Sequence, residues 1–116
     1  MIIGLVSCCK KKRSTPMAAA LLYNEKSFYR AALHAQTTCD RWVILSGKHE
    51  VLNPEQVVAP YNLDLRKQRP AYIKRWAANV NRTLRRRFPD AGFVAMVDGP
   101  YLLALRELHY VIKEIK

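Results

Sequence analysis

The sequence predicts an α/β domain, a small Rossmann-like three-layer fold with a mainly parallel sheet of about four strands and helices on both faces. Three observations lead there. Short continuous apolar runs recur at residues 1–6, 41–45 and 93–97, as expected of strands buried on both faces. Helical periodicities separate the runs, and each run gives way to a polar residue, Ser7, Ser46 or Asp98. Strands alternating with helices imply right-handed crossovers and so a parallel sheet. Half of the 116 residues are apolar or aromatic, enough for one core and too few residues for two. Residues 1–116 are therefore expected to form a single domain.

The first strand is expected at residues 1–6. Residues 7–16 follow without hydrophobic period and hold Cys8, Cys9, Lys10, Lys11, Lys12 and Arg13, which makes a basic loop. Residues 18–23 fit no single pattern. Ser27 is a suitable N-cap for a first helix over residues 28–36, with Phe28, Ala31, Ala32 and Ala35 on one face. The second strand spans residues 41–45. The connection over residues 47–69 is long for a compact domain, and such loops usually carry function or short elements of their own. Within it, Pro54 is expected to start a helical turn that Pro60 ends. Pro70 opens the second helix, in which Ile73, Trp76, Ala77, Val80 and Leu84 repeat at helical spacing and face the sheet. A third strand at residues 93–97 leads to a helix opened by Pro100. The tail from residue 109 to 115 continues that helix or forms an edge strand, and the strand is the preferred reading.

Composition narrows the partners. Twenty Lys and Arg face nine Asp and Glu, a formal charge of +11 with a pI near 10.0, so polyanions are the expected company. No apolar run approaches the roughly 20 residues of a membrane span, and the apolar start is too short for a secretory signal. A cytoplasmic protein is expected, with no membrane partner. Three cysteines, two of them adjacent, fit neither a disulfide framework nor a metal knuckle; reduced thiols, no metal and no cofactor follow.

In parallel sheets ligands bind outside the carboxyl ends of the strands, which places Ser7, Ser46 and Asp98 on one rim. The loop with Lys10, Lys11, Lys12 and Arg13 can hold phosphate through lysines and backbone amides; it has no Gly-rich nucleotide pattern, and its plainer reading is a solvated loop. Past the second strand come Ser46, Gly47, Lys48 and His49, where a histidine beside a lysine suits acid-base work or a phosphate grip. The alternative is that His49 orders the loop. Cys8 is a nucleophile candidate only if the lysines lower its pKa, and a small packing residue otherwise. On the second helix Arg75, Asn79, Arg82 and Arg86 form a ridge opposite the apolar stripe, with Arg85 and Arg87 beside it. No acidic residue lies between Asp64 and Asp90 to neutralise them, which favours phosphate contact over a merely solvated face. Tyr61 either stacks on a base or packs its loop through a structural hydroxyl bond. Ser7, Lys10, Ser46, Lys48, His49 and Tyr61 should then meet at one edge.

Four segments resemble a family of bacterial and phage domains of unknown function related to the YaaA peroxide-stress proteins. They are Leu5-Val6-Ser7-Cys8 with Lys10 and Lys12, then Leu22-Tyr23 to Phe28, then Trp42-Val43-Ile44-Leu45-Ser46-Gly47-Lys48-His49, and Pro54 followed by Ala59-Pro60-Tyr61 and Leu63. Weaker agreement continues at Gly99 and Tyr101. The resemblance implies a Rossmann-like domain and a link to nucleic acid, without a settled reaction. Glu50 departs from it by standing where that family usually has glycine, and the sequence ends before the family's Gly-rich segment, from which retention of binding alone is expected.

The leading expectation is a nucleic-acid-binding domain, with phosphates held by the basic loop and the helix ridge and a nucleotide or base taken at the strand ends. An enzyme acting on a nucleotide or nucleobase is the first alternative, with Lys48 and His49 as acid-base or phosphate-binding groups and Ser7 and Ser46 as orienting hydrogen bonders. A basic accessory protein docking on an acidic protein partner is the second.

Overall fold

The computed structural model describes residues 1–106, 108 and 111–113. The three apolar runs are strands, β1 (Ile2–Ser7), β3 (Arg41–Ser46) and β6 (Gly92–Met96), and β1 lies between the other two with parallel pairing on each side. Two further strands complete the sheet. β4 (Glu50–Leu52) returns antiparallel against β3, and β7 (Val111–Lys113) adds in parallel to β6. The order is β4-β3-β1-β6-β7, so four of five strands are mutually parallel. The expected edge strand in the tail is present over Val111–Lys113; residues 109, 110, 114 and 115 lie outside the described residues.

Successive strand residues point to opposite faces, and the buried side chains divide accordingly. Ile3, Leu5, Val43, Leu45, Phe93 and Ala95 pack with Trp76, Ala77, Val80 and Leu84 of α3 (Pro70–Arg87). Val6, Ile44, Val94 and Met96 pack with Phe28, Ala31, Ala32 and Ala35 of α2 (Lys26–Thr38) and with Ala19 and Leu22 of α1 (Ala19–Leu22). Each helix buries the face its periodicity marks. Gly4 lets α2 approach the central strand, because a Cβ there would stand 2.9 Å from the Cβ of Ala35. The chain is thus a mixed α/β domain built on a mostly parallel sheet, and among the described residues no helix is long and apolar enough to cross a membrane.

Several local expectations are corrected. α2 begins at Lys26, with Glu25 at the cap position and no side-chain cap bond, so Ser27 sits inside the first turn rather than capping it. Pro54 starts no helix: the amide of Gln56 donates to the carbonyl of Asn53, closing a turn between β4 and β5 (Val57–Val58), and β5 pairs antiparallel with β2 (Met17–Ala18). The helix opened by Pro100 is a 3-10 helix, Gly99–Leu105. Residues 47–69 carry β4, β5 and a 3-10 turn, Leu65–Lys67, whose Arg66 amide donates to the Asp64 carboxylate. That capped turn delivers the chain to α3.

Candidate nucleic-acid interface

The carboxyl ends of β1, β3 and β6 form one rim. Ser7 closes β1 in register with Leu45 and is buried, as is Ser46 at the end of β3. Two aromatic donors from α3 fix the β3 end: Trp76 Nε1 donates to the Ser46 carbonyl and Tyr72 Oη to the Gly47 carbonyl, each at 2.8 Å. The Ser46 hydroxyl accepts from the backbone amides of Lys48 at 3.2 Å and His49 at 3.0 Å. With both lone pairs engaged, its proton goes to Tyr61 Oη, 2.6 Å away. Tyr61 in turn lies 2.6 Å from the hydroxyl of Tyr23. This chain of three hydroxyls ties the β3 turn, the long connection and α1 together.

Around Tyr61 gather the rim cations. Lys12 Nζ stands 4.4 Å and Lys48 Nζ 5.8 Å from the centre of its ring, and the His49 ring meets it edge-on at 5.1 Å. Lys12 Nζ also donates to the carbonyls of Cys9 and Lys10. Ser46, Lys48, His49 and Tyr61 therefore meet, and Lys12 links them to Lys10 and the loop after Ser7. The Tyr61 ring carries an ammonium and its hydroxyl is bonded twice, which is the packing arrangement of the two considered for it. Burial pushes the hydroxyls of Tyr61 and Tyr23 far above the usual phenol range, so both stay neutral donors. His49 is held below the ordinary imidazole value, first by burial and then by Lys48, so its ring is neutral at pH 7.

Beside this cluster opens a cavity of about 300 Å³. One wall is the loop after β1, with Cys8, Cys9, Lys10 and Lys12; the other is the segment before α3, with Asp64, Arg66 and Lys67; Tyr101 closes it. Cys8 Sγ lies 3.3 Å from Tyr101 Oη. The Cys9 thiol is pushed up to about 12, mainly by burial and then by Glu25, which makes it a poor nucleophile. Ser46, Lys48, His49 and Tyr61 do not line the cavity. Lys12 is the residue common to both groups.

The remaining predicted residues are spread over the surface. Lys11 turns outward, its amide donating to the Glu25 carboxylate, and Arg13 is spent on the Leu21 carbonyl and the Tyr29 hydroxyl. Arg75, Arg82, Arg85 and Arg86 are exposed along α3. The start of α3 touches Ser46 and Gly47 at the rim, whereas its end reaches Asn53 through Arg87 and lies by Arg41 at the beginning of β3 through Phe88. An 18-residue helix is about 27 Å long, so the basic loop and Arg85 to Arg87 stand at opposite edges of the sheet. Three of these guanidinium groups are bonded to side-chain amides: Arg82 to Asn79, Arg85 to Asn81 and Arg87 to Asn53.

Sequence reasoning missed Arg66 and Lys67, whose adjacency in a long connection was the available signal. It also passed over the pairing of Arg66 with Asp98, 2.6 Å between guanidinium and carboxylate. Glu50 has a left-handed backbone, φ 65°, the conformation for which glycine is suited. Its carboxylate accepts from Asn79 at 2.9 Å. No group of three or more His, Cys, Asp or Glu among the described residues is arranged to hold a metal ion.

Residues 3–114 match the family of unknown function DUF6884. The chain belongs to that family. No curated protein and no solved structure matches it, so DUF6884 membership brings neither a reaction nor a ligand, and the functional reading rests on the residues themselves.

Proposed function

We propose that this DUF6884 protein binds nucleic acid through its phosphates, using the rim cations Lys10, Lys12, Lys48, Arg66 and Lys67 and the α3 arginines Arg75, Arg82, Arg85 and Arg86. The observation that carries the reading is the set of arginine partners on α3. Asparagine carbonyls orient the guanidinium groups of Arg82, Arg85 and Arg87 without neutralising them, and among the described residues no carboxylate pairs with these groups, which favours an external anion. The same reading takes the chain as a Rossmann-like three-layer domain related to the YaaA proteins and acting in the cytoplasm.

Mobility shifts on single- and double-stranded DNA and RNA across a salt series test it. Each duplex phosphate neutralised contributes a slope of about −0.9 in log K against log salt, so Arg82→Gln with Arg86→Gln flattens the line. Absence of binding at low salt ends the proposal. Binding to an acidic protein that survives nuclease treatment would redirect the same arginines to carboxylates.

A neutral His49 beside Lys48 at a strand end favours a second reading, an enzyme acting on a nucleotide or nucleobase, with Ser46 holding the Lys48-His49 turn and Ser7 as an orienting hydrogen bonder. Mass spectrometry of nucleosides and oligonucleotides tests it. Products formed by the wild type and absent with His49→Ala support it; unchanged substrates from both oppose it.

A further inference from the structure

We propose that the cavity between the β1 loop and the segment before α3 is a site for a phosphate monoester, the phosphorylated end of a nucleic acid strand. The identity of the strand rests on the nucleic-acid reading; the phosphate chemistry rests on the cavity alone.

Among the described residues four cations, Lys10, Lys12, Arg66 and Lys67, line the cavity with one carboxylate, Asp64. That carboxylate is engaged by the Arg66 amide at 3.0 Å, capping the 3-10 turn. With Asp98 paired to Arg66 from outside the lining, four cations face two carboxylates, and the wall keeps a net positive charge. Its volume, about 300 Å³, is at the small end of ligand pockets and suits one terminal nucleotide better than a strand running through.

Arg66 is held ready for such a group. Asp98, which stands outside the lining, takes one guanidinium N–H at 2.6 Å. The guanidinium rests 6.0 Å from the centre of the Tyr101 ring and against Gly99, where a Cβ would come within 3.1 Å of Nε. The pair is half exposed on both sides and adds little to stability. What it fixes is direction, and the remaining guanidinium donors keep the fork geometry that suits phosphate oxygens.

Charge separates a strand end from a strand middle. A phosphodiester carries one negative charge, a monoester close to two at pH 7. A concave wall with several cations gains most from the second, because the mutual repulsion of the cations is relieved as the anion enters.

The experiment compares one labelled oligonucleotide sequence in three forms, with 5′-hydroxyl, 5′-phosphate and 3′-phosphate ends, by fluorescence anisotropy at fixed salt. Adenosine monophosphate and inorganic phosphate are added as competitors, and thermal shift is read with each. The expected result is one phosphorylated end binding about tenfold tighter than the hydroxyl form, the effect of one or two added charge-assisted bonds. That preference is lost in Arg66→Met and reduced in Lys67→Gln. Lys67→Gln unfolds no lower than the wild type without ligand, which separates a lost contact from a damaged fold. Equal binding of all three forms overturns the end-recognition site and leaves nucleic-acid binding standing. If no oligonucleotide binds while adenosine monophosphate or phosphate raises the unfolding temperature and Arg66→Met abolishes the rise, the monoester site stands and the nucleic-acid reading falls. No response to any of them overturns both.

Discussion

Tyr61→Phe removes one oxygen from the hydroxyl chain that fastens the rim. In the wild type that oxygen receives the Ser46 proton and contacts the Tyr23 hydroxyl, both at 2.6 Å. Ser46 and Tyr23 are fully buried, so water does not replace the missing partner without local opening. Ser46 cannot turn its proton elsewhere without giving up an amide of the Lys48-His49 turn. Each buried group left unsatisfied costs about 1–3 kcal/mol, and the ring itself stays, so the expected loss is about 2–3 kcal/mol. Against a total stability of about 5–15 kcal/mol this lowers the melting temperature by roughly 8–12 °C. Urea unfolding followed by the fluorescence of Trp42 and Trp76 measures it. Tyr23→Phe alone is expected to cost less, because Tyr61 then keeps the Ser46 proton; adding it to Tyr61→Phe costs less than the sum of the two, since one orphaned hydroxyl is removed. A loss under about 0.5 kcal/mol for Tyr61→Phe, or strict additivity of the pair, refutes the hydrogen-bond chain.

Three further outcomes follow from the geometry. The His49 imidazole is expected to titrate below its ordinary value of 6.5 in an NMR pH series, and Lys48→Gln to raise the midpoint partway, because burial is the larger cause. Since the folded value is depressed, this histidine's contribution to stability is fully present above pH 6.5 and is lost as pH falls toward the folded value; His49→Gln flattens that stretch of the stability profile. Gly4→Ala forces a Cβ to 2.9 Å from Ala35 and is expected to cost about 1–3 kcal/mol in thermal unfolding, with phosphate response unchanged. Gly99→Ala places a side chain at φ +56° against the Arg66 guanidinium; it is expected to cost about 1–2 kcal/mol and, unlike Gly4→Ala, to weaken the phosphate response as well.

The strands and the α3 stripe were legible because parallel strands buried on both faces are continuous apolar runs and an amphipathic helix repeats its burial. The convergence of Ser46, Lys48, His49 and Tyr61 followed from the strand-end rule. Burial periodicity says nothing about hydrogen-bond direction, so the bond from Ser46 to Tyr61 and the second bond to Tyr23 had no signal in the sequence. At Ser27 a good capping residue does not mark the boundary, because packing of Phe28 and the Ala31 face sets where α2 lies and Glu25 takes the cap position with its backbone alone. Residues 47–69 read as loop because β4 and β5 have three and two residues, too short to show a period. The sequence does not single out Arg66 and Lys67, because a pair of basic residues looks the same whether it faces solvent or a cavity wall. Glu50 holds a left-handed backbone that no hydrophobic period announces, and the Asn79 amide bonded to its carboxylate offsets part of the strain.

The position of β1 at the middle of the sheet has a consequence for how the chain acquires its structure during synthesis. Residues 2–7 are made well before Gly92–Met96, which fill one of their two hydrogen-bonding edges, so the sheet cannot close until that later strand is available. Contacts so distant in sequence slow folding, and until they form β1 presents an open apolar edge to other nascent chains. A fragment ending before Gly92 would therefore be expected to aggregate even with α2 and α3 intact, and dependence on chaperones would be concentrated in the interval between synthesis of β1 and synthesis of β6.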